Sequence, residues 1–67
     1  MKFKSTLREL RKMQGYTQLQ LAKKLDVTDQ CIRDWENRGS EPNYETLCRL
    51  AKIFDVTVGQ LLGIEDL

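Results

Sequence analysis

At 67 residues, 40% hydrophobic and 31% charged, the chain suits one soluble globular domain around a single small core. No apolar run approaches the ~18 residues of a membrane span, and no long apolar segment follows Met1-Lys2-Phe3-Lys4, so neither a membrane anchor nor a signal peptide is expected and the default compartment is the cytoplasm. The net charge of +1 is unevenly spread. Residues 1–38 hold nine Lys/Arg and five Asp/Glu (9 − 5 = +4), whereas residues 39–67 hold two and five (2 − 5 = −3), an asymmetry able to orient the molecule on a polyanion.

Hydrophobic spacing follows the helical period throughout, and no segment alternates as a strand would. The first helix is predicted from about Ser5 to Gln14, with Leu7 and Leu10 inward and Gly15 suited to a left-handed C-terminal cap. The next starts share a pattern: an apolar residue precedes a cap, and another follows four positions after it. Tyr16-Thr17 leads to Leu21, Val27-Thr28 to Ile32, Pro42-Asn43 to Leu47, and Val56-Thr57 to Leu61. This is the hydrophobic-staple spacing, and Thr17 with Gln20 and Thr57 with Gln60 add the reciprocal capping box.

The second helix is thus predicted over roughly Gln18 to Leu25, with Leu21, Ala22 and Leu25 inward. The third covers roughly Asp29 to Asn37, with Ile32 and Trp35 inward; that phase makes Trp35 a core residue rather than a stacking platform. The loop Arg38-Gly39-Ser40-Glu41-Pro42 has a stop signal at each end. The fourth covers roughly Tyr44 to Phe54, with Leu47, Leu50, Ala51 and Phe54 inward, and a short fifth covers about Val58 to Leu62. Residues 1–67 form one domain, with Gly63–Leu67 expected to be a loose tail unless Ile64 and Leu67 dock on a partner chain.

Only Asp26, Val27 and the Thr28 cap separate the second and third helices. So short a connection makes them pack closely at a steep angle. Ala22 is the small residue at their crossing, Val27 plugs the corner, and Asp26 is expected in a left-handed conformation, which Asp tolerates better than most residues. The third helix carries apolar residues behind and a polar row in front: Asp29, Gln30, Arg33 and Asp34. A helix held by its back with hydrogen-bonding groups in front is what reading a DNA major groove requires.

The chain resembles the five-helix DNA-binding domain of the lambdoid phage repressor and Cro family, also called the XRE family. The match runs from Leu7-Arg8-Glu9-Leu10-Arg11 through Thr17-Gln18, Leu21-Ala22, Val27-Thr28, Ile32, Trp35-Glu36 and Pro42 to Val56-Thr57-Val58 and Leu61-Leu62. Asp26 departs from it, standing where the family usually has glycine. The resemblance implies an all-α, compact five-helix repressor-like fold with its helix-turn-helix at the second and third helices. It also implies an ion pair between Arg11 and Glu36 that fixes the third helix against the first.

The resemblance puts the residues aligned with Asp29, Gln30 and Asp34 near base edges, and Thr28 and Arg33 project from the same start and outer face. The Gln30 amide can donate and accept bidentately to adenine; Arg33 can reach guanine or a phosphate; Asp29 and Asp34 can accept from cytosine N4. Asp29 equally suits the helix dipole, and Asp34 an Arg33-orienting role. In relatives a glutamine at Gln18 touches a backbone phosphate and braces the residue matching Asp29. Asn37, Arg38, Ser40 and Asn43 surround the loop expected to face the backbone on the other side, with Asn43 doubling as a cap. Lys23 and Lys24 read as a solvated face.

The implied function is sequence-specific double-stranded DNA binding by a transcriptional regulator, a repressor in the first instance. A homodimer formed through Val58, Leu61, Leu62 or Ile64 would bind a pseudo-palindromic operator, with the third helix in the major groove. Activation through contact with RNA polymerase is equally compatible. The alternative is a protein-interaction module on the same fold, such as an antitoxin or an adaptor, which the acidic Asp29, Asp34 and Glu36 keep open. Catalysis lacks support: there is no histidine, no glycine-rich phosphate loop and no nucleophile–base pair. Cys31 and Cys48 lie on separate helices outside any Cys-x-x-Cys pair, so reduced thiols are expected, with no metal, cofactor or small-molecule ligand.

Overall fold

A computed structural model describes residues 3–66. Five helices follow one another: α1 (Phe3–Met13), α2 (Gln18–Leu25), α3 (Asp29–Asn37), α4 (Tyr44–Phe54) and α5 (Val58–Leu61). There is no strand among the described residues. The fold is therefore the all-α five-helix arrangement expected, 27 × 22 × 21 Å across.

Local chemistry sets where each helix starts. Thr17, Thr28, Asn43 and Thr57 sit in extended conformation, and their side chains accept the backbone N–H of Gln20, Cys31, Thr46 and Gln60. Both capping boxes form, with Gln20 and Gln60 accepting back from the Thr17 and Thr57 N–H. Each cap satisfies a donor the helix would otherwise leave open, contributing about 1 kcal/mol.

The turns between helices reuse one unit. A left-handed residue is followed by an apolar residue and then by a threonine cap: Gly15-Tyr16-Thr17, Asp26-Val27-Thr28 and Asp55-Val56-Thr57. Tyr16, Val27 and Val56 each donate their N–H to the carbonyl five residues back, at 3.0, 3.0 and 2.9 Å, and pack against the core. That bond and the apolar contact form the Schellman closure. Asp26 takes φ 58° as expected; Asp55, which the sequence did not single out, takes φ 57° at the end of α4.

The core gathers Leu7, Leu10, Leu21, Ala22, Leu25, Ile32, Trp35, Leu47, Leu50, Ala51, Phe54 and Leu61. α2 packs on α3 through the Ala22 crossing, α1 covers the back of α3, and α5 closes against α1 and α4. Three expectations change. α1 begins at Phe3, not near Ser5, because the Phe3 ring is buried in the core. Leu61, expected at a dimer surface, is 0% exposed: as the staple partner of Val56 it points inward and cannot meet a second copy. The tail folds back on α5, where Ile64 and Glu65 donate to the Gly59 carbonyl and Gln60 Nε2 donates to the Asp66 carbonyl at 2.8 Å. Leu67 lies outside the described residues.

Candidate nucleic-acid interface

α3 has an inner anchor and an outer polar face. The anchor is Glu36, whose side chain is 0% exposed. Arg11 Nε donates to its Oε2 at 2.7 Å and Arg11 Nη2 to its Oε1 at 3.1 Å, a two-pronged pairing across α1 and α3. Gln18 Nε2 donates to Oε1 at 3.3 Å, and Arg8 Nε lies 3.6 Å from the same oxygen. Arg11 Nη1 also donates to the Tyr16 carbonyl at 2.8 Å, tying in the α1–α2 turn. A carboxylate this buried is tolerable only when paired and hydrogen-bonded on both oxygens; here α1 and α2 supply the donors.

The outer face forms a chain of side-chain contacts along α3. Arg33 Nη1 donates to Asp29 Oδ2 at 2.7 Å and Arg33 Nη2 to Gln30 Oε1 at 2.9 Å. Gln30 Nε2 donates to Asp34 Oδ1 at 2.9 Å, and Arg38 Nε lies 3.6 Å from that oxygen. The spacings are i,i+3 and i,i+4, those at which side chains meet on a helix. These groups are part-exposed or exposed, with Asp29 and Arg33 side chains at 41% and 44%. At the carboxyl end of α3, Arg8 Nη2 donates to the Glu36 carbonyl at 3.1 Å and to Asn37 Oδ1 at 2.9 Å, and Lys4 Nζ donates to the Asn37 carbonyl at 3.4 Å. Cations there suit the negative end of the helix dipole.

A family model described as helix-turn-helix matches residues 7–61, which includes the anchor, the outer face and the core of all five helices. The chain belongs to the Cro/C1-type (XRE) helix-turn-helix family. It is 40% identical over its whole length to the HTH-type transcriptional activator BcrR of Enterococcus faecalis, of which it covers 33%. It is 32% identical over 60 residues, 90% of its length, to the HTH-type transcriptional regulator ImmR of Bacillus subtilis (strain 168), covering 47% of that protein. A third relative, the uncharacterized HTH-type transcriptional regulator YobD of the same organism, is 35% identical over 60 residues, again 90% of this chain and 54% of its own length. The chain thus spans about one third to one half of these relatives. No solved structure gives a significant match. The family is one of DNA-binding transcriptional regulators, not of enzymes.

Within the helix-turn-helix frame, the expected site residues divide. Asp29, Gln30, Arg33 and Asp34 are brought together on α3. Thr28 stands at the helix start with its hydroxyl engaged as cap and donating to Cys31 Sγ at 3.3 Å. Arg38, Ser40 and Asn43 are exposed along the following loop, and the Asn43 side-chain Oδ1 caps α4. Asn37 serves α1, through Arg8, before any other partner. Two orienting roles are corrected. Gln18 braces Glu36 rather than Asp29, because Glu36 Oε1 lies within its reach. Arg33 is oriented by Asp29 and Gln30, not by Asp34, which meets Gln30 and Arg38. Lys24 is more than a solvated charge: its ammonium stands 5.2 Å from the centroid of the Tyr16 ring.

Sequence reasoning missed the share of Arg8 in the Glu36 anchor. The signal was present: Arg8 and Arg11 are three residues apart and share a helix face. Val58 and Leu62 are half-buried against the core, and Ile64 is 67% exposed on the folded tail. Cys31 and Cys48 are free thiols. Among the described residues no group of three or more His, Cys, Asp or Glu side chains is placed to hold a metal, and no helix is long and apolar enough to cross a membrane. A groove of about 400 Å³, lined by Leu10, Met13, Gln14, Phe54, Asp55, Val56 and Gln60, takes no residue from α2 or α3.

Proposed function

We propose that the chain is a sequence-specific binder of double-stranded DNA that regulates transcription, with α3 lying in the major groove. One observation carries this reading: α3 is fixed from behind by the buried Glu36 cluster while its polar row faces outward. Asp29, Gln30, Arg33 and Asp34 are the base-facing residues, with Thr28 at the entry of the helix. Gln18, Asn37, Arg38, Ser40 and Asn43 flank it as phosphate partners. Since the cap uses the Asn43 side-chain Oδ1, the amide Nδ2 is its donor to phosphate.

The DNA-bound form is a homodimer joined through Val58, Leu62 and Ile64. Its two α3 helices would enter successive major grooves, ~34 Å apart, on a pseudo-palindromic operator. Repression by occluding polymerase needs nothing beyond this domain. Activation through contact with RNA polymerase is the second reading, favoured by the name of the Enterococcus faecalis relative, a transcriptional activator.

Titration of a fluorescent random-sequence duplex across a salt series tests the proposal. Neutralised phosphates release counterions, so log affinity should fall linearly with log salt, with slope about −0.9 per phosphate contacted. Absence of binding at low salt would reject DNA as partner and favour a protein-interaction module.

A further inference from the structure

The acidic side chains on α3 present a puzzle for any DNA reader, because Asp29 and Asp34 face a polyanion. Their pairing resolves it. Each carboxylate has its own cation, Arg33 for Asp29 and Arg38 for Asp34, so the outer face carries balanced charge. We infer that this face reads a guanine through Arg33, and that Asp29 is a positioning residue that aims Arg33 rather than a base contact of its own. The inference rests on the DNA-binding reading above and narrows it.

The donor count supports the assignment. A guanidinium carries five N–H groups. Asp29 takes one on Nη1 and Gln30 one on Nη2. The second N–H of each Nη and the Nε–H remain, enough for a two-pronged contact. In the major groove guanine offers two neighbouring acceptors, O6 and N7; adenine offers an acceptor beside a donor. An all-donor fork therefore fits guanine and leaves a clash of donors on adenine.

Gln30 is in the opposite position. Its Oε1 accepts from Arg33 and its Nε2 donates to Asp34, so both ends of the amide are engaged. A two-pronged adenine contact would compete with both bonds. Arg33 can meet guanine with its existing partners retained. The short 2.7 Å charge-assisted bond from Asp29 holds the flexible arginine in one pose before DNA arrives.

The test uses the duplex that the wild-type chain enriches from a random pool. Each guanine is replaced in turn by 7-deazaguanine, which lacks the N7 acceptor. One position per half-site should lower wild-type affinity about tenfold, equivalent to about 1.4 kcal/mol. Asp29→Asn should cut that preference to about a third, and because it removes a negative charge from the DNA-facing side it should raise affinity for random duplex rather than lower it. Arg33→Lys, which keeps the charge and loses the fork, should abolish it, with thermal melting to check that each variant folds. Adding Asp29→Asn to Arg33→Lys should then change no base preference, since one side chain acts through the other.

Insensitivity of every position to 7-deazaguanine would overturn the guanine assignment. A preference unaffected by Asp29→Asn, or an Asp29→Asn effect that persists in the Arg33→Lys background, would overturn the positioning role. Either result leaves DNA binding intact. Failure of the wild-type chain to bind any duplex at low salt would instead remove the DNA-binding reading, and this inference with it.

Discussion

α3 carries two charge networks built from the same residue types, one on each side. Behind it, Glu36 is fully buried and receives donors from α1 and α2. In front, Asp29, Arg33, Gln30, Asp34 and Arg38 are joined only along the helix itself. Burial separates their consequences. A buried charge cannot exchange its partners for water, so the inner network fixes the position of the helix. Exposed pairs contribute little to stability, so the outer network can orient side chains toward a ligand without holding the fold together.

Substitutions can break this contrast, the strongest first. Glu36→Ala strands Arg11, whose side chain is 12% exposed, and should cost about 3–5 kcal/mol of unfolding free energy in urea denaturation. A cost below about 1 kcal/mol would mean that the anchor is not one. Arg11→Ala should follow closely, whereas Arg8→Ala, from a side chain 43% exposed, should cost about 1 kcal/mol or less by the same measurement. Equal losses would show that the two arginines share the anchor evenly.

On the outer face, Asp29→Asn should change stability by no more than about 0.5 kcal/mol, and raising salt to about 1 M should shrink even that. A loss comparable to that of Glu36→Ala would erase the distinction between the two sides. An effect of similar size and opposite sign is expected at the turn that sets the α2–α3 angle. Asp26→Gly relieves a left-handed non-glycine residue and should stabilise by about 0.5 kcal/mol, read as a small rise in Tm.

What the sequence revealed follows the range of each interaction. The four caps, two capping boxes and the Asp26 turn depend on neighbours within five residues, and the staples could be read directly from spacing. The Arg11–Glu36 contact spans 25 residues and came from the family resemblance. The part of Arg8 in it did not, although its spacing of three residues from Arg11 puts both on one face of α1. Leu61 was assigned to the dimer surface although its staple spacing from Val56 already placed it inward, because the four residues of α5 carry no periodicity to reinforce that signal. The tail looked loose because its ties, backbone bonds to Gly59 and Gln60 together with Gln60 Nε2 to the Asp66 carbonyl and Thr57 Oγ1 to Glu65 Oε1, lie beyond the end of α5 and follow no helical spacing. The outer chain on α3 was legible in principle. Asp29, Arg33, Gln30 and Asp34 have the right spacings, but considering each as a separate base contact hid their mutual pairing.

The claim at the centre of this account is that a rigidly anchored α3 reads the sequence of duplex DNA. Selection of bound sites from a random duplex pool tests it most directly. The predicted result is two enriched half-sites in inverted orientation with centres about one helical turn apart, each containing a guanine. A pool that stays random after selection, although the chain remains folded, would contradict it.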